Sequence, residues 1–435
     1  MLKIRSLNNA TTVVEGSGYS LLIDPWLVGT LYGGAWSPYA KMKDVSFLKS
    51  ISHVFISHIH EDHWDRETLL LLDKSAKIFI PKLPINNVLK RYVEELGFSD
   101  IQLITPLEKY DIGDAILTII PPLNAFGQEL GSYVEGYEFD STHIDTGLLV
   151  EDKASETSHL FLCDNSPYDL EILKNIHVND LTTLWYPFNS YAQDYPLCYE
   201  MDDQAKADIH DVMQSNTMKA VFDCLALMKP RYYLPHSADF VLNGPMADKF
   251  DRYTKPEFMK RDMVAKTYEF PELETSKSEY ALYGDVLTFE NKSDMSIKRD
   301  VYDYDKVTSL PYLETFNSKL RTTIEETLAQ SFEQMIERCT KHSINLEKAA
   351  NWVLTLTIDG TSHHFSYDSL KLMEQDHLTS EKKQLEIFLS EDQVTALLSR
   401  ELHWNNAQIG CHYKSKRVPN EYCQTIYKSL NFLHL

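Results

Sequence analysis

Residues 54–64 read V-F-I-S-H-I-H-E-D-H-W, a short apolar run followed at once by three histidines and two carboxylates. An apolar run that ends in polar residues is typical of a buried strand leading into a loop. His58 and His60 are two residues apart, so their side chains share one side of an extended chain. Asp62 and His63 then turn back into the same space. Imidazole nitrogen and carboxylate oxygen are ligands of zinc, iron and manganese in open sites, so the stretch predicts a metal centre.

The residues around this stretch alternate between strand-like and helix-like segments. Strand-like runs, bounded by turn residues, cover residues 21–27, 53–57, 76–81, 115–120, 147–151, 159–164 and 231–236. Apolar residues at helical spacing cover residues 66–72, 85–96 and 203–228. Strands that alternate with helices predict a layered α/β domain.

The last third of the chain has a different organisation. Residues 255–310 are polar with little periodicity, so we place a domain boundary near residue 300. Beyond it the sequence predicts a helix, a hairpin that turns at Asp-Gly, a further strand and a short helix, over residues 320–339, 351–367, 384–390 and 391–399. We therefore expect a catalytic domain over residues 1–300 and a small α+β domain over residues 301–435.

Composition narrows the class of protein. Hydrophobic residues make up 43% and charged residues 24% of the chain, as in soluble globular proteins, and no apolar run approaches the ~18 residues of a membrane span. The first residues do not resemble a signal peptide, and the six cysteines are scattered, so we expect a cytoplasmic protein. A net charge of −22 disfavours nucleic acid as a partner.

The pattern H-x-H-x-D-H behind an apolar strand, with an earlier strand ending at Asp24 in L-L-I-D-P-W, resembles the metallo-β-lactamase superfamily. The resemblance implies an αββα sandwich with two divalent metal ions bound along one edge. It implies that the ligands are His58, His60 and His143 for one metal, Asp62, His63 and His236 for the other, and Asp164 as the bridge. Asp62 and Asp164 would also be the catalytic residues, and Asp24 would brace the ligand loop without binding metal.

One ligand of this set has a rival. His143 lies in D-S-T-H-I-D-T-G, which departs from the surroundings usual in the superfamily, and Asp145 stands two residues further on. Either side chain could complete the first metal position, so the sequence leaves both open.

Several segments also resemble the part of CMP-N-acetylneuraminate hydroxylases that follows their Rieske domain. They are D-P-W-L-V-G-T-L-Y-G-G-A-W, I-S-H-I-H-E-D-H, D-T-G-L-L-V-E, P-R-Y-Y-L-P-H-S-A-D-F and L-P-Y-L-E-T-F-N, and the resemblance runs in this order from residue 1 to about residue 320. The chain has no C-x-H…C-x-x-H pattern of a Rieske cluster, so the resemblance implies that electrons come from a separate donor protein.

The C-terminal domain is similar to the sterol-carrier-protein fold through W-V-L-T-L-T-I-D-G and A-Q-I-G-C-H-Y-K-S-K. That resemblance implies a role with apolar substrates or in forming a homodimer, and an unrelated α+β packing domain is the alternative. Two aromatic stretches, at 29–39 and 186–196, are long enough to form substrate-binding loops. The candidate recognition residues in them are Trp36, Tyr39, Tyr191 and Tyr195.

Two metals bridged by one carboxylate permit two chemistries. In the first, two irons use dioxygen to hydroxylate a small metabolite. In the second, zinc or manganese activates water, which cleaves an ester, amide or phosphodiester bond. We favour the iron-dependent oxygenase by a narrow margin, because the hydroxylase-like segments cover most of the chain. A non-catalytic binding protein is the third class, and the complete ligand set argues against it.

Overall fold

The computed structural model describes residues 1–83, 86–121, 144–164, 173–174, 180–187, 194–237, 240–243, 277–279, 281, 283–299, 304–306, 316–373 and 382–435. Within these ranges, no helix combines the length and the apolar character needed to cross a membrane. Strands of the first half are β1 (Leu2–Ser6), β2 (Thr12–Glu15), β3 (Ser20–Ile23), β4 (Trp36–Pro38), β5 (Ala40–Met42), β6 (His53–Phe55), β7 (Lys77–Pro81), β8 (Ile101–Ile104), β9 (Lys109–Asp111), β10 (Ala115–Ile120), β11 (Gly147–Asp152) and β12 (Thr157–Phe161).

Later strands are β13 (Thr183–Pro187), β14 (Tyr232–His236), β15 (Phe240–Leu242), β16 (Lys277–Ser278), β17 (Val286–Asn291), β18 (Asp294–Lys298), β19 (Tyr304–Lys306), β20 (Trp352–Ile358), β21 (Thr361–Ser366), β22 (Lys371–Met373), β23 (Lys383–Leu389) and β24 (Lys414–Val418). The α-helices described are α1 (Arg66–Leu71), α2 (Asn86–Glu95), α3 (Asp194–Leu197), α4 (Asp203–Met228), α5 (Ile324–Lys341), α6 (Glu391–Leu398), α7 (Trp404–Ile409) and α8 (Gln424–Leu430).

Two mixed sheets form the larger part of the molecule. The first has eight strands in the order β18-β17-β1-β2-β3-β6-β7-β8, and β3, β6, β7 and β8 run parallel. The second has seven strands in the order β16-β14-β13-β12-β11-β10-β9, and β12, β13, β14 and β16 run parallel. In each sheet the parallel strands lie on one side, so their carboxyl ends meet along one edge of that sheet.

Three buried cores define four layers. Side chains from the facing sides of the two sheets form the central core, which includes Leu21, Ile23, Phe55, Leu117, Leu148 and Phe161. On the outer side of the first sheet, alternate residues of β6 and β7 pack against α1 and α2 through Val54, Ile78, Leu69, Leu89 and Val93. On the outer side of the second sheet, Leu160 and Leu184 pack against Val221 and Leu225 of α4. The order helix, sheet, sheet, helix confirms the predicted αββα sandwich.

The strand ends nearest the predicted site differ from those expected. The run at 21–27 is strand only to Ile23, because Asp24 adopts a left-handed backbone with a φ of 45° and Pro25 follows. The run at 159–164 likewise leaves the sheet after Phe161, and Cys163 has a φ of 52°. As a result, Asp24 and Asp164 lie in turns beyond the ends of their strands.

The segment without clear periodicity contributes two strands to the first sheet. β17 pairs with β1, and β18 pairs with β17 at the sheet edge. β18 reads D-M-S-I-K, in which the partly buried Met295 and Ile297 alternate with exposed polar residues, and five residues of alternation do not stand out within a polar segment. The short β19 pairs with β5, across the predicted boundary at residue 300, and the division there stays a prediction.

The C-terminal residues have their own sheet and core. The sheet order is β22-β21-β20-β23-β24, with β20 and β23 parallel. Helices α5 and α6 begin with capping boxes, in which Thr323 and Ser390 each accept from the backbone three residues on. The core includes Leu328, Phe332, Leu354, Leu385 and Leu397. We call residues 316–373 and 382–435 the C-terminal module; it is an α+β unit, and its likeness to sterol carrier proteins stays a prediction.

Candidate metal centre

Parallel strands bring the predicted site residues to one edge of the sandwich. Ile23 of β3 pairs with Phe55 of β6, so Asp24 stands beside the residues that lead into His58. From the second sheet, Asp164 follows the end of β12. The Thr146 hydroxyl donates to the Ser57 carbonyl at 2.7 Å and ties the two sheets together at this point.

The H-x-H-x-D-H loop gathers its side chains around a common space. Nε2 of His58 lies 2.8 Å from Nδ1 of His60, so both ring nitrogens face the same point. A 3-10 turn over Glu61–His63 then reverses the chain. This turn places Nε2 of His63 3.3 Å from Oδ2 of Asp62 and 3.1 Å from Oδ2 of Asp164. Asp164 thereby joins the loop from the opposite sheet.

Two groups of three potential ligands share one histidine. One group is His58, His63 and Asp164, and the other is His58, His60 and Asp145; within each, the donor atoms lie within 4.8 Å of one another. Ligand atoms at such separations match a cation of ~2.0–2.2 Å ligand distance after small side-chain adjustments. The imidazole and carboxylate donors fit divalent zinc, iron or manganese.

Asp24 is fully buried and accepts hydrogen bonds from residues of the H-x-H-x-D-H loop and the serine before it. Its Oδ2 accepts from Nδ1 of His63 at 2.8 Å and from the Ser57 hydroxyl at 2.8 Å, and its Oδ1 accepts from the Ser57 backbone N–H at 2.7 Å. A carboxylate on one ring nitrogen fixes the tautomer, so that the other nitrogen of His63 faces the ligand space. The role of Asp24 as a brace for a metal ligand stays a prediction.

Two side chains that we did not anticipate position Asp62. The Asn9 amide donates to its Oδ2 at 2.8 Å, and the Tyr32 hydroxyl donates to its Oδ1 at 2.5 Å. Burial and the adjacent Asp62 raise the pKa of Tyr32 well above its ordinary value, so the phenol keeps its proton and donates. Asn9 comes from the β1–β2 turn and Tyr32 from the loop before β4, and neither carries a motif that would have pointed to this role.

The surroundings of His58 and His63 shift the pKa values of the two rings in opposite directions. Burial, with His63 and His60 nearby, lowers the pKa of His58 well below its ordinary value, so this ring is neutral and able to bind metal at neutral pH. Burial also lowers the pKa of His63, but Asp62, Asp164 and Asp24 outweigh that effect and raise it. His63 must therefore give up a proton when metal binds.

We take Asp145, the described candidate, as the remaining ligand of the first metal position, and the choice between it and His143 stays a prediction. Oδ1 of Asp145 lies 3.4 Å from Nε2 of His58, whereas residue 143 falls outside the described residues. We expect Asp145→Ala to lower bound metal by about one ion per chain and His143→Ala to leave the content unchanged. Elemental analysis of both variants after identical purification measures this. The opposite pattern would restore His143 to the set.

His236 lies at the carboxyl end of β14, on the same edge as Asp164. Its ring packs edge-on against Trp185, with centroids 5.5 Å apart. Among the described residues, neither group of closely spaced donor atoms includes it. Its role as a ligand stays a prediction.

The candidate recognition residues have different surroundings. Trp36 is buried and stacks on Phe240 with ring centroids 3.7 Å apart, so it packs within the molecule. Tyr39 is partly buried beside Tyr283. Tyr195 lies under the Arg417 guanidinium, and Tyr191 is outside the described residues. Their part in substrate binding stays a prediction.

Comparison with known proteins gives partial matches. No protein-family model matches the chain. A protein described as a Rieske 2Fe-2S iron–sulfur protein of Mycolicibacterium smegmatis is 28% identical over 213 residues, 47% of this chain and 37% of that protein. The 4-amino-L-phenylalanyl-[CmlP-peptidyl-carrier-protein] 3-hydroxylase of Streptomyces venezuelae is 27% identical over 126 residues, 28% of this chain and 23% of the hydroxylase. The chain thus matches less than two fifths of the length of either relative.

Solved structures show limited likeness. CmlA, a diiron β-hydroxylase from Streptomyces venezuelae, superposes with a TM-score of 0.44 and 16% identity over 65% of this chain and 53% of that chain. A possible metal-dependent hydrolase from Veillonella parvula gives a TM-score of 0.45 and 15% identity over 66% of this chain and 98% of that chain. The layers of this molecule, with the H-x-H-x-D-H loop at their shared edge, themselves identify the fold as an αββα sandwich of the metallo-β-lactamase type.

Proposed function

We propose that this protein is a dinuclear iron enzyme that uses dioxygen to hydroxylate a small organic substrate. The observation that carries the proposal is the donor set at the sandwich edge, in which three carboxylates converge with three histidines: Asp62, Asp145, Asp164, His58, His60 and His63. Such a mixture of imidazole and carboxylate suits iron, because hard oxygen donors stabilise its oxidised form and imidazole its reduced form.

We propose a separate set of ligands for each of the two metal ions, with one residue shared. His58, His60 and Asp145 would hold one ion, Asp62 and His63 the other, and Asp164 would bridge them. When bound, the iron pair would supply redox chemistry in which dioxygen, two electrons and two protons convert a substrate C–H bond to C–OH and release water. Asp24 fixes the His63 ring, and Asn9 and Tyr32 fix the Asp62 carboxylate, so the ligands are held before metal arrives.

Two of the relatives support an oxidative role. The Streptomyces protein is a 3-hydroxylase, and the Mycolicibacterium protein is described by a Rieske cluster, an electron-transfer group. We propose that the electrons for this chain come from a separate electron-donor protein. The substrate we propose is a small molecule, and its structure is open.

A metallohydrolase is the second candidate. The three imidazoles of His58, His60 and His63 are also the nitrogen donors that zinc prefers. With zinc or manganese in the same positions, the site would lower the pKa of a bound water toward ~7 and direct it at an ester, amide or phosphodiester. The two candidates share all ligands and differ in the metal and in the need for electrons.

Oxygen uptake separates these candidates. Protein reduced with dithionite under nitrogen and then freed of reductant is expected to consume dioxygen in proportion to its iron content when air is admitted. A chelator-treated sample is the control, because it keeps the fold without the metal. A colourless protein that takes up no oxygen and cleaves generic esters or phosphodiesters would instead support the hydrolase.

A further inference from the structure

The C-terminal module touches the loop that carries the metal ligands. Tyr32, Ala35 and Trp36 of the first half share one buried cluster with Cys411 and, at its margin, Ile409. These module residues come from the end of α7 and the turn that follows it. The contact therefore joins two parts of the chain that are more than 370 residues apart in sequence, directly beside the H-x-H-x-D-H turn.

Two glycines allow an unusually close approach at this contact. A β-carbon on Gly33, whose φ is 65°, would lie 3.0 Å from the His412 ring. A β-carbon on Gly410 would lie 2.8 Å from the same ring and 2.9 Å from Ala35. Any side chain at either position would push the module away from the loop, so the tight fit depends on the absence of side chains on both sides.

The first polar link from the module reaches Glu61, the residue between two ligands. The Asn406 amide of α7 donates to Oε1 of Glu61 at 2.5 Å. Oε2 of the same carboxylate accepts from the Tyr32 backbone N–H at 2.7 Å. Glu61 thus connects the module, the loop before β4 and the 3-10 turn that contains Asp62.

The second link runs through Tyr32 itself. Nε2–H of His412 donates to the Tyr32 carbonyl at 2.5 Å. The hydroxyl of that tyrosine, which is 1% exposed, donates to Oδ1 of Asp62. Both links therefore end at the same ligand, one through the backbone of the turn and one through the phenol.

We propose that the C-terminal module is a working part of the metal centre, in which Asn406 and His412 position Asp62 through Glu61 and Tyr32. This inference rests on the proposed function, since it concerns the same metal site. Asn406 and His412 are positioning residues, because neither reaches the ligand space. Loss of a direct outer partner of a metal ligand weakens metal binding by ~10–100-fold, and Asn406 and His412 act one contact further out, so we expect effects at the lower end of that range.

An exchange of donor and acceptor tests the first link. Asn406→Asp places a second carboxylate against Glu61, so we expect the affinity for the more weakly bound of the two metal ions to fall by ~10-fold, the lower end of the range for outer partners. Adding Glu61→Gln supplies an amide that can donate to the new carboxylate while its oxygen still accepts from the Tyr32 backbone, so the double variant N406D/E61Q is expected to recover most of the affinity. The probe is Co²⁺, an air-stable stand-in for Fe²⁺, titrated against a competing chelator.

Controls separate positioning from a loss of fold. Asn405→Ala alters the neighbouring side chain of α7 and is expected to bind Co²⁺ like the wild type. Asn406→Ala, together with thermal unfolding of each metal-free variant, covers the case in which Asn406→Asp does not fold. Unchanged affinity in a folded Asn406 variant, or no recovery in the double variant, overturns the inference. A wild-type protein that binds no metal would instead refute the proposed function.

Discussion

Asp164→Ala is expected to empty both metal positions and leave close to zero metal per chain. Oδ2 of Asp164 lies 3.1 Å from Nε2 of His63, and it is the second-sheet member of the group formed with His58. As the proposed bridge, Asp164 would help to hold both ions, and its negative charge would reduce their mutual repulsion. Without it, each position loses a ligand and the pair of charges is no longer compensated. Oxygen uptake is expected to vanish with the metal.

The fold is expected to survive this substitution. The Asp164 side chain is 36% exposed and follows the end of β12, so its removal leaves no cavity in the core. Asp223→Ala, at an exposed position of α4, is the matched control and is expected to keep the wild-type metal content. Elemental analysis and urea unfolding of both variants measure the two effects. Two metal ions retained in Asp164→Ala would show that the bridge has been assigned to the wrong residue.

Asp24→Asn is expected to weaken metal binding by ~10–100-fold, the effect usual for an outer partner of a metal-binding histidine. Asn is chosen because it tolerates the left-handed backbone at this position, where φ is 45°, so the change removes charge with little backbone strain. Without the Asp24 carboxylate, the orientation of the His63 ring is no longer fixed. The metal-free protein is also expected to lose ~1.5–3 kcal/mol of stability, because each of the Asp24 contacts is a hydrogen bond to a charged group.

Chelator competition and urea unfolding report these two losses separately. Asp44→Asn is the matched control, because Asp44 also accepts from a backbone N–H, that of Ser46 at 2.8 Å, but lies in an exposed turn. Its metal affinity is expected to equal that of the wild type. Equal affinity in Asp24→Asn would mean that His63 is oriented by its other neighbours or does not bind metal.

The sequence alone was enough to propose the metal loop, because the residues of that loop are close together in sequence. His58 and His60 share a side by strand geometry alone, and parallel pairing of β3 with β6 then brings Asp24 to them without further information. Asp164 could be proposed on similar grounds, because it follows the end of a predicted strand. These residues could be proposed from the sequence alone. The alternation of predicted strands and helices likewise indicated a layered α/β domain.

Other features could not be predicted because they depend on packing between distant segments. Asn9 and Tyr32 meet Asp62 only after the β1–β2 turn and the loop before β4 fold over the edge. The contact of Asn406 with Glu61 requires the C-terminal module to dock. The choice between Asp145 and His143 depends on how the chain enters β11, and two residues of sequence cannot decide it. The edge strand β18 has only two apolar residues, Met295 and Ile297, and so short an alternation does not predict a strand within a polar segment.

Metal analysis of the wild-type protein, purified without added metal, tests the central claim most directly. We expect about two iron ions per chain, with an absorption band in the near ultraviolet that bleaches on reduction. Zinc at the same stoichiometry would contradict the oxygenase and leave the hydrolase. A protein without bound metal, and with no affinity for added Fe²⁺, would contradict the metal centre itself.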